Sequence, residues 1–103
     1  MERRNKPRIS CPFPASVRGI DTSAKAFKVN TTLSNISAGG LYVRLPCVVN
    51  EGSNLSIVTR LADASTDKRF GPRVSIRGVV VRVEPNLDGT SGVAVKIKWH
   101  NFI

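Results

Sequence analysis

The sequence has almost no recognisable pattern of catalytic side chains. It contains a single histidine, His100, and only seven acidic residues. These do not follow the spacing of a metal site, a catalytic triad or a pair of catalytic carboxylates. No glycine-rich loop precedes a helical segment, which argues against the usual cradles for nucleoside triphosphates and dinucleotide cofactors. The sequence therefore predicts a protein that is not an enzyme and holds no cofactor.

Long apolar runs and paired cysteines are missing as well. No stretch approaches the roughly 18 apolar residues of a membrane-spanning helix, and the N-terminus lacks the apolar region of a signal peptide. We therefore expect a cytoplasmic protein that does not insert into a membrane. Cys11 and Cys47 do not have the spacing of a zinc or redox site, so we expect two reduced thiols that act as small buried hydrophobes.

Positive charge dominates the composition of the chain. Sixteen Lys and Arg residues against seven Asp and Glu residues give a net charge of +9, which attracts anions. The charge alone does not distinguish nucleic acid, an acidic protein, a membrane surface or a small phosphorylated ligand. Aromatic residues make up only 6% of the chain and are not interleaved as in a single-strand stacking platform. This scarcity argues against nucleic acid as the partner.

Short runs with an apolar period of two follow one another along the 103 residues, a pattern typical of an all-β domain. Six runs can be counted, which predicts a single domain built as a closed or nearly closed six-stranded antiparallel β-barrel. The residues predicted to face the core, strand by strand, are Phe13, Ala15 and Val17; Phe27, Val29 and Leu33; Leu41, Val43 and Leu45; Leu55, Ile57 and Leu61; Val74, Ile76, Val79, Val81 and Val83; and Val93, Val95, Ile97 and Trp99.

Breaks in these runs predict where the strands bend or end. The phase of the fifth run slips by one after Gly78, which predicts a β-bulge at that glycine. Turns are expected from Ser34 to Gly40, from Asn50 to Asn54 and at Asp88-Gly89, and a polar mobile loop from Ala62 to Pro72. Residues 1–11 are basic and poor in apolar side chains, so we expect a flexible arm, with the barrel formed by residues 12–103.

Two short motifs remain that bear on function. Arg4 and Arg8 lie four residues apart on the basic arm, a spacing that Arg69, Arg73 and Arg77 repeat elsewhere, so the pair alone is weak evidence. The second motif is Asn35-x-Ser37-x-x-Gly40, placed between the second and third predicted strands. Asn, Ser and Gly are common turn residues, and it is their order, spacing and position that make them informative.

An arginine pair on a basic arm, a first strand, and an Asn-x-Ser-x-x-Gly segment after the second strand together resemble the PilZ domain family. The resemblance covers nearly the whole chain and includes the run Gly92-Val93-Ala94-Val95 of the last strand. It implies a split β-barrel of six strands that binds the bacterial second messenger cyclic di-GMP without catalysis. The ligand-binding residues it implies are Arg4, Arg8, Asn35, Ser37 and Gly40.

The chemistry of cyclic di-GMP fits these residue types. An arginine can donate two hydrogen bonds to guanine O6 and N7, or stack on the base while its charge meets a phosphate. Asn35 stands where many family members have Asp, and its amide oxygen can still accept a hydrogen bond from guanine. The resemblance also links the residue before the first motif arginine to stoichiometry, and Arg3 at this position favours a stacked pair of ligands over one.

The expected mechanism is a switch in which the arm becomes ordered over the ligand and changes the surface offered to a downstream protein partner. Two alternatives stay open: a PilZ-like adaptor that binds protein without a nucleotide, and a small basic barrel that binds nucleic acid non-specifically. Intact motifs argue against the first, and a steep salt dependence of binding would identify the second.

Overall fold

A computed structural model of the chain describes residues 13–37, 39–60 and 72–103. Every regular element in these ranges is a β-strand. The strands are β1 (Phe13–Ile20), β2 (Ala26–Ile36), β3 (Gly40–Leu45), β4 (Asn54–Arg60), β5 (Arg73–Pro85) and β6 (Ser91–Phe102). Within the described ranges there is accordingly no helix long and apolar enough to cross a membrane.

The six strands close into a barrel in the order β1-β2-β3-β6-β5-β4, and β4 pairs with β1 to complete the ring. Every pairing is antiparallel. Closure pairs both edges of the sheet, so none of the six described strands is an open edge strand. The predicted six-stranded antiparallel barrel is confirmed. The predicted arm of residues 1–11 and most of the predicted loop from Ala62 to Pro72 lie outside the described residues.

The barrel interior is filled by alternate apolar side chains, as the period of two predicts. Among the described residues, fifteen hydrophobic side chains are buried there, and most come from the predicted core faces. They are Phe13, Ala15, Val17, Leu33, Leu41, Val43, Leu45, Val49, Leu55, Ile57, Val74, Ile76, Val80, Val93 and Val95. Phe27, Val29 and Ile97 pack against this core from its margin.

The inward face of β5 differs from the prediction. The alternation that begins at Val74 continues without a slip through Gly78 to Val80, which is 1% exposed, whereas Val81 is 50% exposed. Register shifts occur both between Arg77 and Gly78 and between Val80 and Arg82. The prediction that Val79 and Val81 face the core is therefore wrong. The phase of β5 changes at the extra residue Val81, two to three residues later than predicted.

The end of β6 also differs. Arg77 pairs with Trp99 and Gly78 pairs with Ile97, which leaves Lys98 as an extra residue on β6. One extra residue reverses which side chains face inward, and Trp99 consequently shares the outer face with Arg77. Trp99 is 45% exposed and does not belong to the core as predicted. The irregularity near Gly78 was thus predicted, but it lies on the partner strand.

Cys47 is half-buried against the core and makes no disulfide. Burial raises the pKa of its thiol above the ordinary value, and the charge of Asp21 raises it by a smaller amount. The thiol therefore stays protonated and behaves as the small hydrophobe predicted for it. Cys11 lies outside the described residues.

Candidate functional site

The end of β2 turns Asn35 to the outside of the barrel. Leu33 pairs with Val43 and Asn35 pairs with Tyr42, so Ser34 is an extra residue on β2. Without that bulge, Leu33 and Asn35 would face the same way, because side chains two apart on a strand point to one side. The bulge instead leaves Leu33 fully buried and Asn35 exposed. The predicted turn from Ser34 is shorter than expected, since β2 continues to Ile36.

The connection between β2 and β3 is held by its own backbone. The Ser37 amide donates to the Gly40 carbonyl oxygen at 2.9 Å, and the Ser37 hydroxyl donates to the same oxygen at 3.3 Å. The Ile97 amide of β6 donates to the Gly39 carbonyl oxygen at 3.0 Å. These bonds close the turn over β6 and leave the Ser37 oxygen free to accept a hydrogen bond from a ligand.

The absence of a side chain matters at Gly40. A Cβ atom placed there would lie 3.0 Å from the Val95 carbonyl oxygen, whereas one placed at Gly39 would meet nothing within 4 Å. Gly40 thus allows β3 to approach β6 closely at the start of their pairing. Of the two neighbouring glycines, the one in the predicted motif is the one that the packing requires.

Four strands present one row of outward side chains beside this turn. Asn35 on β2 pairs with Tyr42 on β3, Tyr42 pairs with Ala94 on β6, and Ala94 pairs with Arg82 on β5. Cross-strand partners share a face, and three strand spacings place Asn35 and Arg82 about 14 Å apart. The small side chain of Ala94 leaves a gap between the phenol ring and the guanidinium group.

The gap forms part of a shallow depression of about 380 Å³. Its lining combines polar groups at the rim with apolar groups beneath them. The lining residues are Asn35, Ile36, Ser37, Gly40, Leu41, Tyr42, Arg82 and Ala94. All three predicted site residues that the structure describes therefore meet in one depression. Arg3, Arg4 and Arg8 lie outside the described residues.

The side chain of Tyr42 on β3 is held in place by a carboxylate on β5. Its hydroxyl donates to Glu84 Oε1 at 2.7 Å, and the ring lies over Gly92, where a Cβ atom would overlap the phenol. Arg82 Nε donates to the other carboxylate oxygen, Oε2, at 3.1 Å. Glu84 therefore holds both the phenol and the guanidinium group at the edge of the depression.

The same contacts shift two pKa values in opposite directions. The hydrogen bond from Tyr42 and then that from Arg82 lower the pKa of Glu84 below its ordinary value. The hydrogen bond to Glu84, followed by burial, raises the pKa of Tyr42. At neutral pH the carboxylate is ionised and the phenol keeps its proton, so the pair is in the state in which each bond is strongest.

Tyr42, Arg82 and Glu84 are functional candidates that the sequence analysis missed. Arg82 and Glu84 are two apart on β5 and read as ordinary surface charges, while Tyr42 fits the outward phase of β3. No local pattern connects residues 40 or more positions apart. Only the register of β3, β6 and β5 brings them to one place.

A family model described as PilZ domain matches residues 2–101. A search of curated proteins finds no match. Within the described residues, no three His, Cys, Asp or Glu side chains gather as a metal site.

Three solved structures share the fold. The Bacillus subtilis inhibitor of motility MotI/DgrA is 19% identical, with a TM-score of 0.65 over 96% of this chain and 44% of that one. The K. pneumonia MrkH–c-di-GMP complex is 21% identical, with a TM-score of 0.56 over 96% of this chain and 46% of that one. An F420 reductase is 8% identical, with a TM-score of 0.57 over 89% and 91%.

This chain thus spans less than half the length of the MotI and MrkH chains. At these identities the three structures establish the fold alone. The family model matches nearly the whole chain and establishes the family, whose domains bind ligands or partners and are not catalytic. The chain belongs to the PilZ domain family.

Proposed function

We propose that this protein is a non-catalytic receptor for cyclic di-GMP that acts in the bacterial cytoplasm. The observation that carries the proposal is the depression in which Asn35, Ser37 and Gly40 meet beside Tyr42 and Arg82. Membership in the PilZ family and the likeness to a MrkH–c-di-GMP complex support it. A polar rim over an apolar floor suits a flat guanine base joined to phosphates.

Arg4 and Arg8 would complete the site from the N-terminal side. Phe13, where β1 begins, pairs with Leu33, only two residues before Asn35. Arg8 lies five positions before Phe13, a segment that can span at most about 18 Å, and Arg4 lies nine positions before it, a segment that can span about 30 Å. Both guanidinium groups are therefore within reach of the depression and can bind guanine edges and phosphates.

Arg82 adds a cation on the opposite side of the depression. Its Nε is committed to Glu84, and a guanidinium group carries four further N–H donors on its terminal nitrogens. Arg4 and Arg8 would thus approach the ligand from one side and Arg82 from the other. Ordering of residues 1–11 between them on binding is the proposed switch, and a downstream protein would read the changed surface.

Calorimetric titration of cyclic di-GMP into the full chain tests the proposal. We expect saturable binding by the wild type, much weaker binding of GTP, and loss of the tight cyclic di-GMP binding in an Arg4→Ala, Arg8→Ala double variant. An Arg73→Ala, Arg77→Ala double variant is the matched control, because it removes two arginines at the same spacing from β5. Equal loss in both double variants would indicate a general charge effect and contradict the site.

Arg3 bears on stoichiometry. If its guanidinium group stacks on a guanine and offsets the phosphates of a second ligand, the wild type binds two cyclic di-GMP molecules per chain. Arg3→Ala should then bind one. Absence of binding at tens of micromolar ligand, roughly the range of 6 to 7 kcal/mol, would overturn the receptor. The adaptor function would then be favoured, in line with the fold shared with an inhibitor of motility.

A further inference from the structure

A second depression lies on the outer surface of β4, β5 and β6. It has a volume of about 310 Å³ and is lined by Asn54, Leu55, Ser56, Arg77, Gly78 and Lys98. It shares no residue with the depression beside Asn35. Two cations and two neutral hydrogen-bonding side chains therefore line one surface hollow with no acidic residue in its lining.

Trp99 lies beside the lining residue Arg77. The Arg77 guanidinium carbon lies 5.2 Å from the centre of the indole ring, within the range of a cation–π contact. Trp99 nevertheless remains 45% exposed. Arg77 thus supports the ring on one side while much of the indole stays open to solvent. The bulge at Lys98 produces this arrangement, because it turns Trp99 outward and inserts a lysine next to it.

The charges on the three strands around this hollow favour an anion. In the described strands, neither β4 nor β6 contains an acidic residue, and β5 contains only Glu84. Glu84 is seven residues from Arg77, about 23 Å along the strand, and it is already bound to Tyr42 and Arg82. The charges of Arg77 and Lys98 are therefore not offset by a carboxylate on these strands.

We propose that this surface is a second binding site, for a nucleotide unit. The base stacks on the open part of Trp99, and the phosphate binds between Arg77 and Lys98, with Ser56 and Asn54 as further donors. The scarcity of aromatic residues argues against a long stacking platform but not against a site for one base. The unit can belong to a free nucleotide or to a single strand of nucleic acid, which present the same chemistry.

The chain contains one tryptophan, so quenching of its fluorescence reports on this site directly. We would titrate the full chain with AMP, adenosine, ribose 5-phosphate and a dodecamer of deoxyadenosine. AMP should quench saturably with a dissociation constant of about 1 mM or below. Adenosine and ribose 5-phosphate should each bind at least about fivefold more weakly, since each lacks the stacking or the charged half of the ligand.

The dodecamer distinguishes the two sources. Binding at least about tenfold tighter than AMP, with an affinity that falls steeply with salt, assigns the site to single-stranded nucleic acid. Equal affinity assigns it to a free nucleotide. The Arg4→Ala, Arg8→Ala double variant should bind AMP as the wild type does, because the two depressions share no residue. The outcome is therefore separable from that of the proposed receptor function.

Variants locate the binding. Arg77→Gln and Lys98→Gln should each weaken AMP binding at least about fivefold, whereas Arg44→Gln, which removes one charge from the outer face of β3, should not. Circular dichroism verifies that each variant is folded, and calorimetry on Trp99→Leu measures the stacking contribution without the fluorophore. Absence of saturable quenching by every probe overturns the proposal. So does equal weakening by Arg44→Gln, or competition by polyglutamate as strong as that by the dodecamer, which indicates an acidic protein partner.

Discussion

The Tyr42 phenol reaches across one whole strand to donate a hydrogen bond to Glu84, with 2.7 Å between the two oxygens. The strand that it crosses is β6, at Gly92, and the bond thereby joins the outer faces of β3 and β5. The two residues are 42 positions apart in the sequence. This link fixes the ring that forms one side of the candidate cyclic di-GMP site, and it depends on the missing side chain at Gly92.

Gly92→Ala should break this link. The added methyl group overlaps the phenol, so the ring must move and give up its bond to Glu84. We expect a loss of about 1–3 kcal/mol in the free energy of unfolding, measured by urea denaturation, together with weaker cyclic di-GMP binding. Gly39→Ala is the control, because a methyl group there meets nothing within 4 Å. Wild-type stability in Gly92→Ala would show that the ring position is not constrained by this contact.

Neighbouring glycines provide a second comparison. At Gly40 a methyl group would press on the Val95 carbonyl oxygen at 3.0 Å, a backbone atom that cannot rotate away. Gly39→Ala should be neutral or stabilising, since it restricts the unfolded chain at no cost in packing. We therefore expect Gly40→Ala to be about 1 kcal/mol less stable than Gly39→Ala in thermal or urea unfolding. The opposite order would contradict the close approach of β3 to β6.

The local sequence pattern was sufficient to predict the strands, but it was insufficient to predict which side chains face the core near the bulges. The run Val79-Val80-Val81 satisfies an alternating pattern in either phase, so the sequence did not indicate which valine is buried. The answer depends on how β5 pairs with β6, where Lys98 and Val81 are each an extra residue. Trp99 was placed in the core for the same reason. Register between strands is a tertiary property, and a period of two within one strand does not contain it.

The candidate site was likewise predictable from the sequence only in part. Asn35, Ser37 and Gly40 were predicted because one short turn sets their spacing, although the bulge at Ser34 that exposes Asn35 was not. Tyr42 and Arg82 join them only through the pairing of three strands. Charge and hydrogen-bonding capacity could be read from the sequence, but which charges meet could not.

Closure of the barrel gives a third prediction. Thr59 on β4 is buried, and its hydroxyl donates to the Pro14 carbonyl oxygen of β1 at 2.8 Å. Thr59→Val keeps the shape and removes the donor, which leaves a buried carbonyl without this partner. We expect a loss of about 1–2 kcal/mol in the free energy of unfolding. Thr59→Ser keeps the hydroxyl and should retain the bond while losing one buried methyl group. Wild-type stability in Thr59→Val would show that this hydrogen bond does not stabilise the closure of the barrel.

Acid provides a direct test of the Tyr42–Glu84 bond. The folded-state pKa of Glu84 is lowered from its ordinary value of 4.5, chiefly by Tyr42 and then by Arg82. The resulting stabilisation is present above pH 4.5 and is lost as the pH falls through the lowered value. Tyr42→Phe should move the Glu84 pKa upward toward 4.5, and NMR of the carboxyl carbon measures this change. The variant should also lose less stability than the wild type when the pH falls below 4.5.

Asp88 provides the control within the same molecule. Its pKa is also lowered, but by hydrogen bonds from the Thr90 side chain and backbone, so Tyr42→Phe should leave it unchanged.

At the alkaline end the sign reverses. The pKa of Tyr42 is raised from 10.0, so its contribution is present below pH 10.0 and lost as the pH rises through the raised value. Glu84→Gln should lower the Tyr42 pKa toward 10.0, measured by phenolate absorbance. Movement of Glu84 alone, without the reciprocal change in Tyr42, would mean that the bond does not couple the two groups, because a hydrogen bond that favours the carboxylate must equally favour the protonated phenol.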